Sequence, residues 1–235
     1  MKQTISTLLI LFFFTPVFAQ KTEFKIAFNA NLSAFNRDAV KESYSDAYTT
    51  SVNPHCYTHN PYGSSYRLGY GASAGASYIF KNNRLVGLDA GYEVFKSRVA
   101  VNETLEITDS VDIPHFGKGE SILTTNIINL FPHAGYRFKG AAVNVDLLLG
   151  ADVGFVLSSK AKGEVDASDG AKFYPSRNMK SINTDLRPRL QLAVDYKKLG
   201  IYAGYSLGLA DYKKDQGQKK ASLRIIRFGI TYRYI

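Results

Sequence analysis

The stretch SLRIIRFGITYRYI, Ser222 to Ile235, decides how the whole chain is read. From Ile226 it alternates strictly: Ile226, Phe228, Ile230, Tyr232 and Tyr234 fall on one face, and Arg227, Gly229, Thr231 and Arg233 on the other. Successive side chains of a strand point to opposite sides, so this period of two marks a strand between two unlike surroundings. The two tyrosines at the end of the apolar face suit an interface, because amphipathic rings settle at the level of lipid headgroups.

The same alternation recurs upstream. Phe24, Ile26, Phe28, Ala30 and Leu32 define a first strand, and Leu68 to Phe80 a second within Arg67 to Phe80. Val86, Leu88, Ala90, Tyr92 and Val94 define a third. A fourth, about Ser121 to Phe138, is the least regular, with Thr124 and Asn126 on its apolar face and Pro132 inside it. The fifth, Ala142 to Leu157, sets Val143, Val145, Leu147, Leu149, Ala151, Val153 and Phe155 against Asn144, Asp146, Gly150, Asp152 and Gly154. A sixth runs through Leu186 to Tyr196 and contains Pro188, a seventh runs from Ile201 to Leu209, and the quoted stretch is the eighth. A proline removes a ladder donor, so a bulge or locally broken pairing is expected at Pro132 and at Pro188.

The connections alternate long and short. Three are turns, at Lys81–Arg84, Lys139–Gly140 and Lys198–Gly200. Four are long: Asn36 to Ser65, without a sustained period; Ser97 to Glu120, with a weak alternation that extends its hairpin; Ser158 to Ser181; and Asp211 to Ala221. Short turns at one end and long loops at the other are what single-chain outer-membrane barrels show.

The first residues carry Lys2, an apolar run Leu8 to Phe14, and Val17-Phe18-Ala19, the pattern of a secretory signal peptide over residues 1–19. The remainder, 20–235, is expected to be one domain beginning at Gln20. It offers no stretch of ~20 consecutive apolar residues for a membrane helix, so spanning would fall to strands closed into a barrel. The formal net charge of +9 includes Lys2, the one charged residue of 1–19, so residues 20–235 carry about +8. That basic balance is read as contact with lipid headgroups or lipopolysaccharide phosphates and not with nucleic acid, for which no binding module is visible. A single cysteine, Cys56, excludes an internal disulfide.

Alternation alone would also fit a soluble lipocalin-like barrel with its apolar face inward. Two features favour the membrane. The strand glycines, among them Gly75, Gly91, Gly150, Gly204 and Gly229, lie on the charged face, where the crowded interior of a small barrel favours small residues. The apolar-face aromatics Phe24, Tyr78, Phe80, Tyr136, Phe138, Tyr196, Tyr232 and Tyr234 gather at the short-turn end as a girdle. The expected fold is therefore all-β, an eight-stranded antiparallel up-and-down transmembrane β-barrel.

The spacing Arg227-x-Gly229-x-x-Tyr232-x-Tyr234 resembles the C-terminal assembly signal of bacterial outer-membrane barrels. Across its strands the chain is similar to small OmpX- and OmpA-like barrels, and more closely to the outer-membrane β-barrel (PorT-like) proteins of Bacteroidetes-type bacteria. The resemblance implies the outer membrane of a Gram-negative bacterium, recognition by the barrel-assembly machinery, and a partner within an envelope complex such as the gliding and secretion machinery.

The charged face supplies Asp89, Glu93, Arg137, Asp146, Asp152, Asp185, Arg187, Arg189, Asp195, Arg227 and Arg233 to the lumen, with Lys25, Arg67 and Lys197 near strand ends. Charges in a narrow lumen must pair or stay hydrated. A structural ion-pair network that plugs the bore is expected, with Asp152 level with Arg187 and Arg189; a narrow selective pore is the alternative. His55, Cys56 and His59 in the first long loop are too few for a four-ligand zinc site. His115 and His133 lie in no nucleophile motif, so a lipid-modifying enzyme is the weaker alternative. The reading is a non-enzymatic barrel with no cofactor, no metal and no catalytic residues; Lys213, Lys214, Lys219 and Lys220 are read first as a solvated charged loop, with a grip on lipopolysaccharide phosphates as the alternative.

Overall fold

The structure, a computed structural model, describes residues 21–37, 39–49, 54–180, 182–213 and 220–234. The expected leader, Lys214, Lys219 and Ile235 lie outside them. In chain order the strands are β1 (Lys21–Arg37), β2 (Glu42–Tyr48), β3 (His55–Thr58), β4 (Ser65–Ile79), β5 (Arg84–Ile107), β6 (Asp112–Lys139), β7 (Val143–Ala167), β8 (Lys172–Phe173), β9 (Ser176–Asn178), β10 (Thr184–Tyr196), β11 (Leu199–Leu207) and β12 (Ala221–Tyr234).

Eight of them close a ring in the order β1-β4-β5-β6-β7-β10-β11-β12, each antiparallel to its sequential ring neighbour, and β12 returns to β1 from Phe24↔Tyr234 to Arg37↔Ala221. Closure leaves no free edge within the ring, which is what lipid requires of a β-structure. Leu149, Leu190, Phe228, Ile230 and Tyr234 are exposed on the outside, while Asp152, Asp185, Arg187 and Arg227 are buried inside. The aromatic girdle falls at one height: Phe24 opposes Tyr234, Ile26 opposes Tyr232, and Tyr78–Phe80 and Tyr136–Phe138 form edge-to-face pairs with centroids 4.9 Å apart.

The two prolines are accommodated differently. Between β6 and β7 the register runs to Leu130↔Val153 and resumes unshifted at His133↔Gly150, so Phe131 and Pro132 drop out of that ladder without a bulge. Pro188 keeps its place opposite Ala151 on β7, and the ladder with β11 begins one residue beyond it at Arg189↔Ser206. The bulge on these strands lies elsewhere. Asn126 pairs with Ser158 and Ile127 with Val156, leaving Leu157 as the extra residue. It flips the parity of β7, so that the buried residues change from Asp152 and Val156 to Ser159, Ala161 and Val165.

That flip explains one difference from the sequence reading: the strand expected to end at Leu157 continues to Ala167, because its alternation is interrupted and not finished. The first long loop also differs, since it contains β2 and β3. Beyond the ring each long strand receives a substitute partner. β4 covers β5 as far as Arg98, and β2 covers it in parallel from Ala100 to Ile107. β10 covers β7 as far as Phe155, and β9 and β8 cover it at Lys160–Lys162 and Val165–Asp166. The Arg177 guanidinium of β9 lies 4.8 Å from the Tyr57 ring centroid of β3, so this outer sheet curls back on itself.

Candidate functional site

Inward-pointing residues of all eight ring strands meet in the bore, where the narrowness of an eight-stranded barrel forces side chains to fill it. At Gly75 and Gly150 the need for glycine is direct, since a Cβ would strike Asp89 Oδ1 at the first and the Pro132 carbonyl oxygen at the second.

At the short-turn end the hub is Glu23. Arg137 donates to both Glu23 carboxylate oxygens at 3.0 Å and to both oxygens of Asp146 at 2.7 Å. Arg233 reaches Glu23 Oε2 at 3.0 Å and Asp195 Oδ2 at 3.0 Å. Glu23 was not among the lumen charges expected from sequence, although it shares the parity of Lys25 and Ala27. Above this layer Lys25 pairs with Asp89 at 3.1 Å, and Gly229 makes room for the Tyr202 ring.

Midway up, Asp152 is a second hub. It lies opposite Arg187 in the β7–β10 register and has Arg187 Nε at 3.7 Å, Arg189 Nη1 at 3.1 Å and Arg227 Nη2 at 3.0 Å. Asn129 donates to it at 3.0 Å and Ser206 at 2.8 Å. Each guanidinium has a further partner: Arg187 bonds Asp185 at 2.8 Å, Arg227 grips Glu93 through Nε at 2.7 Å and Nη2 at 3.0 Å, and Arg189 donates to Gln191. Three guanidinium groups thus face the carboxylates of Asp152, Asp185 and Glu93. The Arg187 and Arg227 planes also lie over the Phe95 ring, and Arg189 over Phe131 at 4.2 Å. A void beside Glu93, Asn129 and Arg189 and another in the Glu23 layer beneath, beside Arg137 and Asp146, have volumes of about 20 Å³ each, room for roughly one water.

Toward the long loops the lumen becomes apolar, which the sequence reading did not anticipate. Phe35, Phe95, Leu123, Ile127, Val156, Leu223 and Ile225 form a buried cluster with Tyr62 and Tyr212. Both tyrosine rings meet Phe35 edge-on at 5.1 Å. Tyr62 donates to the Tyr212 carbonyl at 2.7 Å, and Tyr212 donates to Asp185 at 2.8 Å, which ties the cap to the charged layer beneath. The signal available was that Phe35, Phe95, Ile127, Phe131 and Ile225 keep inward parity, a position the reading reserved for charges and glycines.

The loop histidines are engaged elsewhere. On β3, His55 stacks on Tyr48, and just beyond that strand His59 bonds Asp46 at 2.5 Å. Cys56 alternates to the opposite face, and burial pushes its thiol up to about 11, with Asp46 adding to the rise. His133 is buried in the bore, with Nδ1 3.0 Å from the Phe131 carbonyl and Nε2 3.5 Å from Ser77 Oγ. His115 lies outside the ring, with Nδ1 2.5 Å from Asp169 and Nε2 2.9 Å from Glu106. Desolvation lowers its pKa, but the hydrogen bonds and charges of Asp169 and Glu106 outweigh that and raise it. Among the described residues no group of three or more His, Cys, Asp or Glu side chains converges as a metal site.

At the chain end Tyr232 and Tyr234 point outward, while Arg227 and Arg233 of the same strand enter the two hubs. Of the residues Arg227, Gly229, Tyr232 and Tyr234, the first two thus face the lumen and the last two the outside.

The model of the outer membrane protein beta-barrel domain family matches residues 18–214. Among solved structures, the chain is similar to Ail, the attachment invasion locus protein of Yersinia pestis, solved in complex with the heparin analogue sucrose octasulfate. The identity is 16%, the TM-score 0.38, and the match covers 91% of this chain and 99% of that one. It is similar to Neisserial surface protein A at 14% identity and a TM-score of 0.38, covering 91% and 99%. A third likeness is to the translocator domain of the autotransporter NalP from Neisseria meningitidis, at 11% identity and a TM-score of 0.28, covering 99% and 95%. No curated protein matches the sequence.

Proposed function

The chain belongs to the outer membrane protein beta-barrel domain family, and from that premise we propose that it is a non-enzymatic, non-conducting barrel whose work is done by its surface. It resides in the outer membrane of a Gram-negative bacterium. The observation that carries the reading is the double closure of the bore, by the charge-balanced layer around Asp152 and by the cap of Phe35, Tyr62 and Tyr212. A continuous water path would have to break both.

Two further observations support a surface role. The outer sheet stands clear of the ring and exposes Val111, Ile113, Phe116 and Tyr174 near its tip, which fits a contact with another envelope protein. His133 and Ser77 lie close enough for an acid–base pair, but inside packed walls where no lipid reaches them. The outward aromatic end of β12 fits recognition by the barrel-assembly machinery.

The test is conductance in planar bilayers. The wild-type barrel is expected to pass no sustained current. A variant that neutralises Asp152, Asp185, Arg187 and Arg189 together and shortens Tyr62 and Tyr212 to Ala should show small, flickering currents. Steady, ion-selective currents from the wild type would replace this reading with a channel. A photo-crosslinker at Phe116 in whole cells tests the partner, with a discrete crosslinked envelope protein as the expected product.

A further inference from the structure

The outward face of the ring changes character along one line. On β5 the outward residues from Val86 through Leu88, Ala90 and Tyr92 are apolar, and the next cation, Lys96, follows Val86 by ten residues, the length of one tilted crossing (about 9–11 residues). On β4 the run from Tyr78 to Leu68 is equally long, and there a register shift against β5 between Arg67 and Tyr70 sets Arg67, expected at the lumen, opposite the outward Lys96 and within reach of Glu120. Just below this line Tyr92 Oη donates to Asn126 Oδ1 at 2.9 Å, and Asn126 Nδ2 donates to Ser158 Oγ at 2.8 Å, a polar ladder on an otherwise apolar wall. In single-chain outer-membrane barrels the short turns face the periplasm, which places this border in the outer leaflet.

The register then aligns the cations. Arg67 opposes Lys96, Lys96 opposes Thr124, and Thr124 opposes Lys160, a single row across β4, β5, β6 and β7. In the next row Arg98 opposes Ile122, and Ile122 opposes Lys162. Neighbouring strands are about 4.8 Å apart, so the lysines of one row are separated by roughly twice that, with a short neutral side chain between them. Glu120 holds the two arginines side by side, with Arg67 Nη2 at 3.0 Å and Arg98 Nε at 2.6 Å. Glu164 lies opposite Glu120. Among the described residues Lys96, Lys160 and Lys162 have no acidic partner within 4 Å.

We propose that these two rows form a binding patch for the phosphate groups of lipopolysaccharide, on the β4–β7 side of the barrel only. The inference rests on the reading of the chain as an outer-membrane barrel and moves the lipopolysaccharide contact from the loop lysines to the wall. Five cations face two carboxylates at the height where the outer leaflet carries its phosphates. The lysines supply mobile point charges, and the Glu120-held arginines supply oriented donors to phosphate oxygens. The apolar wall below, with Leu68, Tyr70, Tyr92 and Phe155, is positioned to take the acyl chains of the same molecule.

The test is displacement of a fluorescent lipopolysaccharide from the refolded full barrel in detergent micelles, with heat-modifiable gel mobility confirming the fold of every sample. Replacing Lys96, Lys160 and Lys162 by Gln should weaken binding at least about tenfold, as the loss of several basic residues at an anionic surface implies. The same charge change at the periplasmic mouth, Lys81, Lys139 and Lys197 to Gln, should leave binding within about twofold of wild type. Dephosphorylated lipopolysaccharide should bind the wild type as weakly as the intact glycolipid binds the β5/β7 variant. The proposal is overturned if the folded β5/β7 variant keeps wild-type affinity, if the mouth variant loses as much, or if removing the phosphates changes nothing. A wild-type protein that is not heat-modifiable would instead defeat the barrel reading itself.

Discussion

Asp152 Oδ2 and Arg227 Nη2 are 3.0 Å apart across the bore, with neither side chain exposed. The contact joins β7 to β12, strands that are not ring neighbours, so it braces the cylinder across its width. Replacing Asp152 by Asn leaves three buried guanidinium groups with two carboxylates. Breaking a buried pair from one side costs about 3–5 kcal/mol. The urea midpoint for loss of the heat-modifiable form should fall accordingly, and a midpoint equal to wild type would show that the layer adds nothing to stability.

Glu23 carries the corresponding load at the periplasmic end, since it accepts from Arg137 and Arg233 together. Glu23→Gln should destabilise by about 2–4 kcal/mol, somewhat less than loss of a fully buried partner because Asp146 and Asp195 still face the two arginines. Lys21→Gln, next to it but half-exposed, should change the same unfolding midpoint by less than about 1 kcal/mol. If the two substitutions behave alike, Glu23 is no hub.

The terminal strand closes the ring on both sides, pairing with β11 and β1, and contributes Arg227 and Arg233 to the lumen. Deleting Ser222 to Ile235 should abolish insertion. Tyr234→Asp, which places a carboxylate on the exposed aromatic end, should reduce it strongly. Fractionation followed by gel mobility with and without heating checks both. A heat-modifiable, outer-membrane band from the truncated chain would contradict the ring itself.

His115 ties the β5–β6 hairpin, through Glu106, to the turn after β7, through Asp169. Both ring nitrogens face carboxylates, so both must donate and the imidazole must be charged. The raised His115 pKa means that this clamp is fully present below the ordinary histidine value of about 6.5 and is lost as pH rises through the folded value. Asp169 is lowered by its bond from the Ala171 backbone and by His115, so its share is present above the ordinary aspartate value and fades only as pH falls through the depressed one. Hydrogen exchange in the two turns should therefore quicken from pH 6 to pH 9 in the wild type. His115→Gln should remove that pH dependence beyond the intrinsic exchange rate; a variant that keeps it would locate the titration elsewhere.

The period-two alternation, the three short turns, the aromatic ends and the inward glycines were all legible in the sequence, and together they determined a barrel of eight strands and which face of each strand meets lipid. These are local properties: the direction of a side chain depends on its parity within one strand, and a turn on a few consecutive residues. What the tertiary structure alone decided is who meets whom inside. Glu23 and Arg137 are 114 residues apart and Glu93 and Arg227 are 134 apart, and their meeting depends on strand tilt and on the register at which the last strand returns to the first. The cap belongs to the same class. Nothing local in Pro61-Tyr62-Gly63 or Asp211-Tyr212-Lys213 tells those loops to fold down onto Phe35 and close the bore. The parity flip at Leu157 likewise becomes visible only when β7 is laid against β6, because an extra residue is defined by the partner strand that lacks it.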